Sequence, residues 1–301
     1  MPDPAPPAVA GLDSTLPTLA LIPLTPTSLP YSTYNLSEPD PARLRRQVRA
    51  YLQTYAFCIV RLAYSGLRGD DVVAQLAEAL GLGPAFLPPL YETEFGPQTP
   101  SITKLQARGR SSPGTHPVFD TSAGQGFHTD GTLQEIGQVQ TSLLFCERQA
   151  AEGGDSIVFN ALAACADLMT SDPAAAAALF DYRCLCRRAT INQSKEVAFG
   201  PAFAFRDGTL LTRYASTGAE SWNFEADVNG HLRRAVNYLA ACAQDGSPYV
   251  FAFRLHGGDM AILDNARTTH GRTVYKVDRA RPRLLYRGLY LASVREMTGG
   301  A

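Results

Sequence analysis

The sequence predicts a mainly β domain with flanking helices, an α+β chain whose strands close into a double-stranded β-helix, or jelly roll. Three observations predict it. Short apolar or alternating runs recur between Gly, Pro, Asn and Asp punctuation, which is the pattern of many short strands. Stretches with a helical period interrupt this mainly antiparallel series without replacing it. The chain has 301 residues and 45% hydrophobic content, enough for one large core that removes about three quarters of the unfolded surface from water.

The elements follow in order. Residues 1–40 carry Pro2, Pro4, Pro6, Pro7, Pro17, Pro23, Pro26, Pro30 and Pro39, too many for a helix and poor for a central strand, so they read as a proline-rich extended arm. Within it, Leu19 to Leu24 is apolar enough to lie on the domain as an edge segment. Residues 41–301 form a single domain. Asp40 followed by Pro41 marks a helix start, and Leu44, Val48, Tyr51 and Leu52 share its buried face. Phe57 to Val60 is a buried strand, and Asp70 to Leu80 a second amphipathic helix. Residues 83–126 are rich in Gly, Pro, Ser and Thr, broken by a strand at Ile102 to Leu105, and read as a loop-rich active-site cover that is most flexible at Gly109 to Thr115.

Strands are predicted at Gln140 to Glu147, Ser156 to Asn160 and Tyr182 to Ala189. Ala202 to Phe205 and Thr209 to Tyr214 form a hairpin across Asp207-Gly208, because both turn positions tolerate positive φ. Asn160 to Met169 and Pro173 to Phe180 are short helices. A longer one runs from Glu225 to Ala243, with Val228, Leu232, Val236, Leu239 and Cys242 on one stripe. Tyr249 to Leu255, Met260 to Leu263 and Arg283 to Ala292 complete the strands.

Chemistry concentrates in two distant segments. His128-Thr129-Asp130 follows the flexible stretch Thr121 to Phe127, and residues two apart on an extended segment project to the same side. His270 lies far downstream, expected on a loop after the Met260 to Leu263 strand. Two imidazoles and a carboxylate are the ligand set of a non-haem ferrous ion, held on one face with the other open. Beyond them, Arg283, Leu285 and Arg287 alternate with Leu284 and Tyr286, which puts both arginines on one strand face. A guanidinium there can grip a carboxylate by two parallel hydrogen bonds.

These residues resemble the taurine dioxygenase-like (TauD/TfdA) branch of the Fe(II)/2-oxoglutarate oxygenases. The resemblance is carried by FHTDGT at 127–132, AAEGGDSIV at 150–158, GGDMAILDNARTTHGR at 257–272 and RPRLLYR at 281–287, in the family's order. It implies a cupin-like jelly roll and a dioxygenase using Fe(II), 2-oxoglutarate and O2. The implied reaction oxidises a small metabolite, such as an amino acid or a carboxylated natural-product intermediate, by hydroxylation, desaturation or cyclisation, with release of succinate and CO2. It further implies His128, Asp130 and His270 as iron ligands, and Arg283 with Ser156 as partners of the distal carboxylate of 2-oxoglutarate. Arg287 is implied to lie near the co-substrate. Retention of Asp130 disfavours a halogenase, and Phe127 stands where many members have Trp.

By position relative to that fold, Arg213, Tyr214, Trp222, Asn223 and Lys104 are candidates for substrate contact. An inward Arg213 implies an anionic substrate; a solvated arginine is the other reading. Asn265 either orients the loop carrying His270 or makes a plain turn. Structural readings stand beside these. His128 and Asp130 can be a hydrogen-bonded loop pair, Arg283 a salt-bridged barrel residue, and Ser156 a cap on the Gly153-Gly154-Asp155 turn. At the level of the molecule, the alternative is a metal-binding jelly roll that binds or senses without turnover.

Net charge is -1, from 27 basic and 28 acidic side chains, and no block of like charge points to nucleic acid or an anionic membrane. A small-molecule substrate is the expected partner, and a homo-oligomer is compatible with the sequence. The six cysteines sit mostly in apolar runs and read as reduced core residues, Cys184 and Cys186 included. With no apolar run of about 18 residues and no secretory start, a cytoplasmic protein is expected.

Overall fold

A computed structural model describes residues 29–107, 121–191 and 194–295. Asp40 caps α1 (Pro41–Tyr55) by accepting a hydrogen bond from the Arg43 backbone N–H at 3.0 Å, with proline in the first turn. Before it lies β1 (Tyr31–Asn35) and after it β2 (Phe57–Ala63). The arm was expected to run to residue 40, yet β1 pairs in parallel with β2. Pro30 and Pro39 flank the Tyr31 to Asn35 run rather than interrupt it, so its backbone donors are free to pair. The edge segment expected at Leu19 to Leu24 lies outside the described residues, as does the Gly109 to Thr115 tip of the cover.

Helix α2 (Gly69–Leu80) ends on Gly81 at φ 78°, a left-handed cap that glycine adopts without strain. The expected cover contains a short helix, α3 (Pro89–Phe95), started by its proline, and then β3 (Thr103–Leu105). Next come β4 (Gln125–His128), β5 (Thr141–Arg148) and β6 (Ser156–Phe159). Asn160 and Asp172 cap α4 (Ala161–Ser171) and α5 (Pro173–Ala178). Strands β7 (Leu185–Arg188), β8 (Val197–Gly200), β9 (Phe203–Arg206), β10 (Thr209–Thr212) and β11 (Glu220–Trp222) follow. The β9–β10 turn has Asp207 and Gly208 at φ 50° and 72°.

The next helix is shorter than its stripe suggested. Gly230 at φ 69° breaks the chain, the Asp227 carboxylate accepts from the Leu232 and Arg233 backbone N–H groups, and α6 covers only His231–Cys242. Val228, expected on the buried stripe, is therefore exposed. Strands β12 (Val250–Phe253), β13 (Asp259–Asp264), β14 (Thr269–Arg272) and β15 (Leu284–Tyr290) end the fold.

Two sheets form the jelly roll. The larger has the order β1-β2-β13-β5-β15-β3 and the smaller β12-β6-β14-β4. Their facing sides meet in a core of Phe57, Ile59, Cys146, Val158, Phe253, Ala261, Leu263 and Leu285. Alternate residues of the same strands, Cys58, Val60, Leu143, Phe145, Met260 and Ile262, point outward against Leu44, Val48 and Leu52 of α1 and Val72, Val73 and Leu76 of α2. Each such fully buried aliphatic side chain contributes about 1.5–3 kcal/mol. A third core joins α4, α5 and α6 to Phe159, Leu185, Phe203 and Leu210. The smaller sheet is thus held between helices and the larger sheet, a rigid mount for whatever β4 and β14 carry.

Candidate active site

Strands β4 and β14 are antiparallel neighbours in which His128 pairs directly with His270. That register brings the two imidazoles to a ring separation of 4.5 Å. His270 therefore sits within a strand, not on the loop expected. After β13 the chain turns over Asn265 to Thr268, where the Arg267 and Thr268 backbone N–H groups donate to the Asp264 carbonyl, and it re-enters the smaller sheet at once. Likewise Gln125 to Phe127, expected as loop, already pair in β4.

Asp130, two residues past His128, turns its carboxylate to the same place. Its Oδ2 lies 3.7 Å from His270 Nε2, too long for a hydrogen bond. One ligand atom each from His128, Asp130 and His270 lie within 4.8 Å of one another, so the three could hold a single metal ion. The donor set suits a ferrous ion with open positions.

Electrostatics prepare these groups. Burial, then the neighbouring His270, pushes the His128 imidazole down to about 3, and burial lowers His270 as well. Both rings are neutral at ordinary pH, the form that binds a metal. His128 Nδ1 sits 3.0 Å from the Gly126 carbonyl, which can only accept, so Nδ1 carries the proton. Nε2 is left as the acceptor, 3.0 Å from the Gln125 amide nitrogen. Burial works to raise the Asp130 carboxyl, but Arg287 and the two rings outweigh it and hold it below the usual carboxylate range. Arg287 Nη1 donates to Asp130 Oδ1 at 2.5 Å, and Ser142 Oγ donates to Oδ2 at 2.8 Å.

Asn265 locks the segment behind. Its Oδ1 accepts from the Asp130 backbone N–H at 2.8 Å, and its Nδ2 donates to the carbonyls of Asp130 and Val139 at 3.2 and 2.9 Å. It thus orients the loop that carries Asp130, across the sheet from the one expected.

Arg283 and Arg287 part company. Arg287 goes to Asp130 and to the Tyr91 hydroxyl. Arg283 is buried over the Tyr275 ring, 5.2 Å from its centroid, while Arg272 lies 5.1 Å from the same centroid. Burial, then Arg272, pushes Arg283 down to about 10. Among the described residues no carboxylate lies within 4.0 Å of Arg283 or Arg272. Ser156 is buried and paired with Arg272 in the β6–β14 register. Gly154 closes this cradle, since a Cβ there would meet Arg283 Nε at 3.2 Å.

A cleft of about 420 Å³ opens on His128 and Asp130 of the triad. His128, Asp130 and Arg287 line it, with Pro88 to Tyr91 from the cover, Gly131 to Gln134 after the triad segment, Arg187 to Ile191 at the end of β7, and Thr217, Ala219 and Glu220. None of the five sequence-level substrate candidates lines it. Arg213 is buried and donates to the Phe199 and Ala198 carbonyls, so it is neither solvated nor turned to the cleft. Tyr214 and Trp222 pack in the helical core. The Asn223 backbone N–H donates to the Cys184 carbonyl, and Lys104 is exposed on the edge strand β3.

Sequence reasoning missed Arg187, Gln125, Ser142 and Tyr91. Arg187 is buried and donates through Nη1 to Thr129 Oγ1 at 3.0 Å and through Nη2 to the Thr129 carbonyl at 2.6 Å. Burial pushes it down to about 9. Its only sequence signal was its place two residues beyond Leu185 on a buried strand face.

The chain matches the family model described as taurine catabolism dioxygenase TauD, TfdA family, over residues 21–289. It is 38% identical over 251 residues to a uridine-5′-phosphate dioxygenase of an Amycolatopsis species, covering 83% of this chain and 90% of that one. A uridine-5′-phosphate dioxygenase of a Streptomyces species is 34% identical, with 79% and 86% covered. Among solved structures, asparagine oxygenase with Fe(II), hydroxyasparagine and succinate superposes with a TM-score of 0.62 at 21% identity, over 85% of this chain and 81% of that one. The non-heme iron oxygenase OrfP with Fe and alpha-ketoglutaric acid gives 0.58 at 16% identity, over 86% of each. With sequence, fold and converging triad in agreement, the chain belongs to the TauD/TfdA family and is an Fe(II)/2-oxoglutarate-dependent dioxygenase of small molecules, using O2.

Proposed function

We propose that the substrate is a nucleoside 5′-phosphate, with uridine-5′-phosphate the first to test. The observation that carries this reading is the likeness to the uridine-5′-phosphate dioxygenases, which runs at 38% and 34% identity through most of both chains. The amino-acid substrate expected from sequence has weaker support, because the solved amino-acid oxygenases share the fold at 21% identity or less.

In this reading His128, Asp130 and His270 hold Fe(II), and Arg283, Ser156 and Arg272 receive the distal carboxylate of 2-oxoglutarate. A buried arginine pair with no carboxylate partner among the described residues supports the second assignment, since buried charges need a counterpart. Fe(II) with 2-oxoglutarate supplies the oxidation of a substrate C–H bond by dioxygen, with succinate and CO2 released. The chain's own residues orient the reactants. Ser142 and Arg287 fix the Asp130 carboxylate, Gly126 fixes the His128 tautomer, and the cleft sets which bond faces the metal.

Succinate formation tests the reading directly. Uridine-5′-phosphate should stimulate it, and Asp130→Ala should abolish both it and the visible band of the anaerobic Fe(II)–2-oxoglutarate complex. Arg283→Ala should raise the 2-oxoglutarate requirement by on the order of 2–4 kcal/mol, roughly 30- to 1,000-fold. Stimulation by amino acids and not by any nucleotide would overturn the substrate assignment. Full turnover in Asp130→Ala would overturn the ligand assignment.

A further inference from the structure

We infer that Arg187 receives the anionic group of the substrate, the phosphate of the nucleotide proposed above; the inference rests on that reading. An oxygenase acting on a phosphorylated substrate must bind two anions, the co-substrate's distal carboxylate and the phosphate. Among the described residues two buried cationic positions are suited to them. One is the Arg272–Arg283 pair around Tyr275.

The other is Arg187, found by elimination among the remaining arginines near the cleft. Arg287 is committed to Asp130. Among the described residues Arg213 also has no carboxylate partner, but it is answered by two carbonyls of β8 and lines no part of the cleft. Arg188 lines the cleft but is solvated, so its charge already has water as partner. Arg187 alone is 3% exposed, lines the cleft, and has only the uncharged oxygens of Thr129 as hydrogen-bond acceptors among the described residues.

A guanidinium has five N–H donors in a planar fork, and the two Thr129 bonds leave donors for a phosphate, which such a fork grips in two places. The position suits substrate orientation. Thr129 stands between His128 and Asp130, so an anion seated on Arg187 holds its end of the substrate beside the triad. The cleft is lined by the carboxylates of Asp130, Glu196 and Glu220, and Glu220 is the cross-strand partner of Arg187 in the β7–β11 register, where with Asp130 it favours the charged guanidinium.

Because Arg187 also clamps Thr129, its test must separate recognition from scaffolding. Wild-type, Arg187→Gln and Arg187→Lys proteins are loaded anaerobically with Fe(II) and 2-oxoglutarate, and the visible band is titrated with uridine-5′-phosphate and with uridine. Arg187→Gln should keep the band and lose roughly 10- to 100-fold in affinity for uridine-5′-phosphate, the loss of a charged hydrogen-bonded contact. Its affinity for uridine should stay unchanged, and Arg187→Lys should recover part of the phosphate-dependent loss. Unchanged uridine-5′-phosphate affinity overturns the inference. So does an equal loss for both ligands, or loss of the band in both variants, either of which makes Arg187 a support for Thr129 alone. Failure of the wild-type protein to bind any nucleoside 5′-phosphate instead removes the proposed substrate, and the inference with it.

Discussion

Asn265 shows at the residue scale how a single amide can set a catalytic geometry. It satisfies the backbone donor and acceptor of Asp130 together with the Val139 carbonyl, all buried. Removing it leaves those groups without partners, and each unsatisfied buried group costs about 1–3 kcal/mol. Asn265→Ala is expected to lower the unfolding free energy of the metal-free protein by about 2–4 kcal/mol, measured by urea denaturation, and to weaken Fe(II) binding. Wild-type stability would show that the amide is dispensable. The sequence drew notice to Asn265 but assigned it to its own loop. Its partner lies 135 positions away, a pairing decided by strand order and not by local pattern. Ser142 was overlooked for the same reason: a serine at the start of a strand looks like a boundary until the register turns it toward Asp130.

At the scale of elements, the site depends on how closely β14 lies against β4. A Cβ built at Gly271 would fall 2.4 Å from the Gln125 carbonyl oxygen, and that atom is backbone and cannot turn aside. Gly271→Ala is therefore expected to push the strands apart, with a stability loss of about 1–3 kcal/mol. Because His270 and His128 are cross-strand partners, the same change should weaken Fe(II) affinity and diminish the Fe(II)–2-oxoglutarate band. Unaltered metal titration in a stable Gly271→Ala protein would contradict this account. Elements with a strong local signal were legible: the capped helices α1, α4 and α5, the Asp207-Gly208 hairpin, and the buried strands β2, β5 and β13. Besides β1 and β4, strands β8, β11 and β14 were missed. These last are three or four residues long, and β14 spends two of its four positions on His270 and Gly271, so no alternation announces it. The start of α6 was misplaced because apolar spacing continues through Gly230 while the backbone does not.

For the whole molecule, the sequence told the metal chemistry better than the substrate chemistry, and the fold explains why. The triad is a compact set of residue types carried on the paired strands β4 and β14 and the residues just after β4. The cleft wall is instead assembled from the cover, the segment after Asp130, and the end of β7, and which side chain faces inward there depends on tertiary packing. The same packing determines the fate of the thiols. All six cysteines are buried and unpaired, and burial pushes Cys146 and Cys184 up to about 12 and Cys58 and Cys165 further still. Thiolate, not thiol, is the reactive form. The native protein at pH 8 should therefore resist a thiol-specific chromogenic reagent and release six equivalents only on denaturation, with the same count with or without prior reductant. Rapid labelling of any cysteine in the native state, or a count raised by reductant, would show that the packed interior around β2, β5, α4, β7 and α6 opens in solution in a way this fold does not allow.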